Sequence, residues 1–319
     1  MRVVYMGTPE FASLPLRKIY EAGHQVVGVY TQPDKEKGRG KKLIASDVKK
    51  TALELELDVY QPEKLRAEDS VSQLKQLCPD IIVVAAYGQI LSEEVLNIPK
   101  YGCINIHASL LPKYRGASPI ESSIIDGEEE TGVTIMYMAK GLDTGDIISQ
   151  ASTPIGKHTT ESLTKELSVM GADLVVKTMT DIENGSANRI PQNDRESTYA
   201  GKLTKEMGHI SFDQPAEKIE RLIRGLYPWP CAFTSLDGKS MKLLGADIVE
   251  LDESDKTEAG EAISSAEPGT IVEVTKKFFV VKCLDKGLKI TKLQPEGKKA
   301  MDTVAFLNGY LVKVGQKLG

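Results

Sequence analysis

Short apolar runs alternate with segments of helical periodicity along the first half of the chain. Apolar runs at 2–6, 25–31 and 80–86 predict strands, and the last of these is almost entirely apolar, as buried parallel strands are. After the first run, Thr8 and Pro9 suit the N-cap and the first position of a helix. The alternation predicts an α/β fold, an open Rossmann-like domain with a mostly parallel sheet.

The same alternation continues to about residue 185. We expect further strands and helices in this half of the chain: strands at 102–107 and 132–139, and helices at 45–57, 68–77, 120–126 and 160–183. Gly185 lies just beyond the last helix, where a glycine commonly ends one.

The pattern changes after residue 190. Residues 186–206 are polar and lack clear periodicity, which indicates a connecting segment. Most of the remaining chain is predicted to form short strands: 209–213, 231–236, 239–249, 269–275, 278–283 and 287–293, with helices at about 215–226 and 301–309. We therefore expect a catalytic domain at 1–188, a linker at 189–207 and a small C-terminal OB-like β-barrel at 208–319.

Charge is distributed unevenly along a chain whose net charge is −5. Residues 31–50 are rich in lysine and arginine, and residues 270–319 carry ten lysines against four acidic residues. Two separate basic surfaces can bind a polyanion, although each alone is more typical of a solvated face. The acidic run 252–267 predicts a mobile loop.

Several classes of protein are disfavoured. The four cysteines lie far apart without a CxxC motif, so we expect buried thiols rather than a disulfide framework or a zinc site. A strand at the start leaves no room for a signal peptide, and no apolar run could span a bilayer, so we expect a cytoplasmic protein without membrane association. The turn after the first strand, 7–11, has one glycine where a nicotinamide-binding fingerprint needs three.

The stretch 103–116 contains the most informative residues. Asn105 and His107 stand two apart on a predicted strand, so their side chains point to the same side. They lie at the strand's C-terminal end, where open α/β sheets bind ligands. An amide can stabilise a developing oxyanion while an imidazole moves a proton. Either residue alone is also compatible with a purely structural role.

Asp143 lies in a glycine-flanked turn, 141–146, after the strand predicted at 132–139. A carboxylate there can reach His107 across adjacent strand ends and fix the tautomer of its imidazole. The alternative is an aspartate that only caps its own turn. Without a serine elbow or reactive cysteine motif, the pattern favours direct acyl transfer with no covalent enzyme intermediate.

These motifs together resemble a known family. Asn105-Ile106-His107 runs into Ser109-Leu110-Leu111-Pro112 and Arg115-Gly116, and Asp143 follows the histidine by 36 residues in Leu142-Asp143-Thr144-Gly145. The combination is similar to that of the 10-formyltetrahydrofolate-dependent formyltransferases, whose catalytic trio is Asn, His and Asp. Three further segments, 32–43, 199–206 and 227–233, resemble the basic loop, the linker and the start of the C-terminal barrel of the methionyl-tRNA members.

The resemblance implies two substrates, 10-formyltetrahydrofolate and charged initiator methionyl-tRNA, and no metal or nicotinamide. It implies the catalytic residues Asn105, His107 and Asp143. Folate is expected along three segments: Ala86, Tyr87, Gly88, Gln89, Ile90 and Leu91; Ser109, Leu110, Leu111 and Pro112; and Gly141 and Leu142. The expected tRNA-binding residues are Lys35, Lys37, Arg39, Lys41 and Lys42.

Two alternatives compete with this interpretation. One is a formyltransferase that acts on a sugar-nucleotide amine, which the Arg39 loop and the 199–206 segment disfavour. The other is a nucleic-acid-binding module in which the α/β domain is inert, which the complete Asn–His–Asp trio disfavours. The sequence indicates no obligate protein partner and leaves the oligomeric state open.

Overall fold

A computed structural model describes residues 1–37, 42–251 and 265–319. Arg39 and Lys41 of the predicted tRNA loop, and most of the acidic run 252–267, lie outside these ranges. The chain divides into two compact units. The N-terminal unit comprises Met1–Pro119, Glu130–Pro154 and Leu163–Gly201, and the C-terminal unit comprises Ile120–Glu129, Ile155–Ser162 and Lys202–Gly319.

A seven-stranded sheet forms the centre of the N-terminal unit. Its strands are β1 (Arg2–Gly7), β2 (Gln25–Tyr30), β5 (Val59–Tyr60), β6 (Ile81–Ala85), β7 (Cys103–His107), β9 (Glu130–Tyr137) and β10 (Ile147–Pro154). Their order is β10-β9-β7-β6-β1-β2-β5, and the strands from β7 to β5 run parallel. The open, mostly parallel sheet predicted from the sequence is confirmed.

Four short strands of the same unit form two separate pairs. Strand β3 (Lys35–Lys37) pairs with β4 (Lys42–Ile44), and β8 (Arg115–Gly116) pairs with β11 (Tyr199–Ala200). The second pair joins residues that are far apart in the chain, so it attaches the segment near residue 200 to the segment that follows β7.

Helices cover both faces of the seven-stranded sheet. They are α1 (Ser13–Glu21), α2 (Asp47–Glu54), α3 (Glu68–Gln76), α4 (Glu93–Leu96) and α6 (Thr160–Glu183). Successive residues of β1, including Val3, Val4 and Tyr5, are fully buried, which requires cover on both faces. The sequence pattern located α6 with the bounds that the structure shows.

Strands β9 and β10 depart from the parallel arrangement. Strand β9 pairs antiparallel with β7, and β10 pairs antiparallel with β9. The sequence pattern predicted β9 but missed β10, in which two buried isoleucines precede residues that mostly alternate between half-buried and exposed. The two strands extend the sheet next to His107.

An antiparallel sheet forms the centre of the C-terminal unit. Its strands are β12 (Ala232–Leu236), β13 (Lys239–Val249), β14 (Ile271–Val274), β15 (Phe279–Lys282), β16 (Gly287–Pro295) and β17 (Met301–Asp302). Helices α7 (Ala216–Gly225) and α8 (Thr303–Gly309) accompany it. Buried side chains that include Leu243, Phe279, Ile290 and Phe306 form its core.

The strand predicted at 209–213 is wrong. Residues 209–213 form no strand, and within this described stretch only a single bridge joins His209 to Phe233. A proline at Pro215 and a bend before it lead directly into α7 instead. The described strands form an antiparallel sheet, and its closure into an OB-like barrel stays a prediction.

Two segments that precede residue 202 belong to the C-terminal unit. The first carries most of helix α5 (Pro119–Asp126). In the second, Lys157 Nζ donates to the buried carboxylate of Glu220 at 3.3 Å, and Thr160 Oγ1 donates to the carbonyl of Gly225 at 2.7 Å. Arg224 Nε also donates to Glu220, at 2.8 Å. These contacts attach residues 155–162 to helix α7.

The cysteines follow expectation in part. Cys103, Cys231 and Cys283 are buried, whereas Cys78 is exposed, because it lies in the turn between α3 and β6. No helix in the described ranges combines the length and the apolar character that crossing a bilayer requires.

Candidate active site

Asn105 and His107 lie on β7, which is flanked by β6 and β9. Both side chains are almost fully buried, with 9% and 6% of their surface exposed. Because they are two residues apart on one strand, they point to the same face of the sheet. The β-strand periodicity of the sequence was therefore sufficient to bring the amide and the imidazole together.

The hydrogen bonds of His107 define its neutral tautomer. His107 Nε2 lies 2.9 Å from the carbonyl oxygen of Tyr114. A carbonyl oxygen only accepts, so Nε2 must carry the hydrogen. In the neutral ring Nδ1 is then an open acceptor, and the group it faces is Asp143 Oδ2 at 3.7 Å. Nδ1 is thus the ring atom available to take up a proton.

Asp143 is held in position by its own turn and by a neighbouring strand. Its backbone is left-handed, with φ of +54°, which is uncommon for a residue with a side chain. Its Oδ2 accepts from the backbone N–H of Gly116, in β8, at 2.8 Å. The same oxygen therefore faces both the Gly116 amide and the His107 ring, which a carboxylate that only caps its own turn would not do.

A separation of 3.7 Å is too long for a direct N–H···O hydrogen bond. An imidazole protonated at Nδ1 would carry its positive charge beside a carboxylate, which stabilises the cation. The arrangement suits reversible uptake of one proton at a buried position. His107 and Asp143 can accept a proton from an attacking amine and return it to a leaving group.

The segment 109–112 is fixed by the antiparallel strands. Thr134 Oγ1, on β9, donates to Ser109 O at 2.6 Å and accepts from Leu111 N at 3.1 Å. Gln150 Nε2, on β10, donates to Leu111 O at 2.9 Å and to Thr134 Oγ1 at 2.9 Å. The strand missed from the sequence thus carries a side chain that shapes the predicted folate segment.

The segment 86–91 follows β6, the parallel neighbour of β7, so it leaves the sheet at the edge where His107 lies. The carbonyl of Tyr87 accepts from Thr8 Oγ1 at 2.9 Å, and the side chain of Gln89 binds the backbone of Pro62 and Leu65. Ile90 is 87% exposed. An anchored backbone with an exposed apolar side chain suits the binding of a flat ring.

The described part of the basic segment forms a hairpin, in which β3 and β4 pair antiparallel. At the base of the hairpin Asp34 accepts from Lys49 Nζ and from Gln61 Nε2, both at 2.7 Å. These two hydrogen bonds lower the pKa of the Asp34 carboxyl. The stem that precedes Arg39 is therefore attached to the N-terminal unit.

The structure brings Asn105, His107, Asp143 and the segment 109–116 together. Leu142, in the turn that carries Asp143, is 61% exposed, while Leu111 is buried. Among the described residues, no three His, Cys, Asp or Glu side chains cluster as a metal ion would require. Sequence reasoning did not single out Thr134 or Gln150, because a buried threonine and an exposed glutamine on strands carry no motif.

Two family profiles match this chain. The formyl transferase profile matches residues 1–179, and the profile of the formyl transferase C-terminal domain matches residues 202–311. The methionyl-tRNA formyltransferase of Lachnospira eligens is 47% identical over 320 residues, which covers 100% of both chains. That of Alkaliphilus metalliredigens is 48% identical over 320 residues, 100% of this chain and 98% of the relative.

Solved structures share the fold at lower identity. An N-formyltransferase from Helicobacter canadensis, solved with folinic acid and dTDP-3-aminofucose, matches with a TM-score of 0.64 at 20% identity, over 92% of this chain and 99% of that one. HypX from Aquifex aeolicus, solved with tetrahydrofolic acid, matches with a TM-score of 0.63 at 18% identity, over 99% of this chain and 50% of that one. Because the identities extend over the full length and both profiles match, the chain belongs to the methionyl-tRNA formyltransferase family.

Proposed function

We propose that this chain transfers the formyl group of 10-formyltetrahydrofolate to the α-amine of charged initiator methionyl-tRNA, in the cytoplasm, for the initiation of translation. The observation that carries the proposal is the tautomer of His107, whose open Nδ1 faces Asp143 Oδ2 at 3.7 Å beside Asn105. Full-length relatives at 47% and 48% identity, both methionyl-tRNA formyltransferases, support the choice of acceptor.

The reaction exchanges one carbon–nitrogen bond for another. The methionyl amine attacks the formyl carbon, and a tetrahedral intermediate with an oxyanion forms. The amide of Asn105 donates to that oxyanion, which is the charge that develops at the reacting carbon. The bond from the formyl carbon to N10 of the folate then breaks, and tetrahydrofolate leaves.

One proton moves during this exchange, from the attacking amine to the departing N10. His107 Nδ1 is the acceptor, because Nε2 is already committed to the Tyr114 carbonyl. Asp143 stabilises the imidazolium that forms, through a water molecule or by direct contact. The same pair then returns the proton, so the enzyme ends the cycle in its starting state.

Folate is proposed to lie along Ala86–Leu91, Ser109–Pro112 and Gly141–Leu142. The anchored backbones of the first two segments offer fixed donors and acceptors for the edge of a pterin. Ile90 and Leu142, both largely exposed, offer apolar walls for its faces. This fit concerns residues of the N-terminal unit only.

The tRNA is proposed to use two basic regions. Lys35, Lys37, Arg39, Lys41 and Lys42 form the loop that engages the acceptor arm. The C-terminal domain, 208–319, with its ten lysines between residues 270 and 319, contacts the phosphate backbone. The catalytic domain is assigned to 1–188 and the linker to 189–207, and no obligate protein partner is invoked.

Release of tetrahydrofolate in the presence of different acceptors tests the proposal. Methionyl initiator tRNA should stimulate release, whereas uncharged tRNA, and water alone, should not. A dTDP-aminosugar serves as the competing acceptor. Stimulation by the aminosugar and not by methionyl-tRNA would assign the chain to sugar-nucleotide chemistry instead.

A further inference from the structure

A glutamine outside every motif contacts the turn that carries Asp143. Gln192 Nε2 donates to the carbonyl oxygen of Asp143 at 2.9 Å and to that of Gly145 at 2.7 Å. These two carbonyls flank the turn residue between them, Thr144. One side-chain amide therefore binds the turn at two backbone carbonyls.

The opposite end of the same amide binds a buried arginine. Gln192 Oε1 accepts from Arg115 Nε at 3.0 Å and from Arg115 Nη2 at 2.9 Å. Arginine has donors only, so the oxygen of the amide must face Arg115 and the nitrogen must face the turn. Arg115 is 2% exposed, and its guanidinium also donates to Asp194 Oδ1 at 2.8 Å.

Hydrogen bonds connect Asp143 to strand β8 in two ways. Gly116, which follows Arg115 in the chain, donates its backbone N–H to the Asp143 carboxylate. Gln192 joins the Arg115 side chain to the Asp143 backbone carbonyl. Asp143 is thereby held at its carboxylate and at its main chain from one strand, β8.

Asp143 needs contacts that stabilise its backbone conformation. A left-handed backbone at a residue with a side chain persists only where its surroundings enforce it. The neighbouring Gly145 packs so closely that an added Cβ would collide with the carbonyl of Tyr137. The hydrogen bonds from Gln192 therefore support a turn conformation that places the Asp143 carboxylate beside the His107 ring.

The segment that carries Gln192 is itself attached to the sheet. Ile190 exchanges backbone hydrogen bonds with Ile147 of β10 at 2.8 and 2.9 Å. Beyond Gln192, strand β11 pairs with β8. The glutamine thus reaches the turn from a backbone fixed on both sides.

We infer that Gln192 is a positioning residue for formyl transfer, which sets the Asp143 carboxylate against His107 Nδ1 by donating to the Asp143 and Gly145 carbonyls. This inference rests on the proposed function, in which Asp143 stabilises the imidazolium. Gln192 itself touches neither substrate nor the reacting atoms in this mechanism.

The test compares Gln192→Ala and Gln192→Glu with wild type, in both the wild-type and the Asp143→Ala background. Single-turnover rates, the KM for folate and thermal unfolding are measured for each full-length protein. Glu196→Gln, a change at an exposed position in the same segment, is the matched control. Glutamate at 192 still accepts from Arg115 but cannot donate to the carbonyls, so it separates positioning from the support of Arg115.

Both Gln192 variants should lower the formyl-transfer rate at least about tenfold, with the KM for folate within about threefold of wild type. In the Asp143→Ala background the Gln192→Ala change should cost less than about twofold, because residues that act through one another are not additive. Glu196→Gln should leave the rate unchanged. Gln192→Glu keeps the proposal testable if Gln192→Ala unfolds.

Three results would overturn the inference: a loss smaller than tenfold, an equal loss in both backgrounds, or full activity of Gln192→Glu. A large loss for Asp143→Ala with none for Gln192→Ala would reject only the role of Gln192. An Asp143→Ala enzyme as fast as wild type would reject the proposed function of the pair, and the role of Gln192 with it.

Discussion

His107 Nδ1 and Asp143 Oδ2 face each other across 3.7 Å while the opposite ring nitrogen, His107 Nε2, is committed to the Tyr114 carbonyl. The consequence is a histidine with one role for each nitrogen. Nε2 is held by the Tyr114 carbonyl, and in the neutral ring Nδ1 is an acceptor beside a carboxylate, which is the atom that the proposed mechanism uses for proton transfer.

Substitution of the trio should affect turnover more than binding. Asn105→Ala, His107→Ala and Asp143→Ala should each lower kcat by roughly 10²–10³, because each group acts on charge that develops in the transition state. The dissociation constant for folate, measured by quenching of intrinsic fluorescence, should stay within about threefold. A turnover within about fivefold of wild type would remove that residue from the mechanism.

Arg39→Lys should separate geometry from charge in the basic loop. Arginine offers a planar fork of donors to phosphates or base edges, which lysine cannot reproduce. We expect kcat/KM on initiator tRNA to fall by at least about tenfold, with the KM for folate unchanged. Arg66→Lys, at an exposed arginine elsewhere, is the control. A nearly silent Arg39→Lys would mean that the loop supplies positive charge alone.

Exposed lysines of the C-terminal unit should set the salt dependence of tRNA binding. Lys298→Ala and Lys299→Ala should each weaken binding to all tRNAs alike and lower the slope of log affinity against log salt by about one. Lys177→Ala removes the same charge from the exposed face of α6 and should leave the slope unchanged. Equal slopes for Lys298→Ala, Lys299→Ala and wild type would exclude these two phosphate contacts.

The thiols should differ sharply in reactivity. Burial raises the pKa of Cys103 to about 12, and burial together with Asp285 raises the pKa of Cys283 to about 12. At about pH 8 both are therefore protonated and inaccessible, and thiolate is the reactive form. Mass spectrometry after alkylation of the native protein should find label on exposed Cys78 and not on Cys103 or Cys283, whereas denatured protein should carry label on every cysteine. Label on native Cys103 would contradict this burial.

The proximity of Asn105, His107 and Asp143 could be predicted because strand periodicity is local, and the catalytic role of the three side chains stays a prediction. Asn105 and His107 share a face by a rule that involves two residues of spacing. The position of Asp143 could be predicted because it lies in a turn directly after the next predicted strand. The parallel sheet was predicted from the short apolar runs. The bounds of α6 were predicted from its helical periodicity.

The features that could not be predicted depend on tertiary contacts. Gln192 and Gln150 bind backbone carbonyls of residues more than thirty positions away, and such acceptors leave no trace in a sequence. Strand β10 alternates only weakly, so its pairing with β9 decides its structure. At 209–213, the bends before Pro215 and α7 override a short apolar pattern.

The most direct test identifies the product. The reaction combines purified protein, 10-formyltetrahydrofolate and methionyl initiator tRNA under single-turnover conditions. The amino acid is then released from the tRNA, and its mass is measured by mass spectrometry. We predict N-formylmethionine with the wild-type chain, and formation at least about 100-fold slower with His107→Ala. Unmodified methionine from the wild-type reaction, or the same rate of formylation from the His107→Ala protein, would contradict the proposed mechanism.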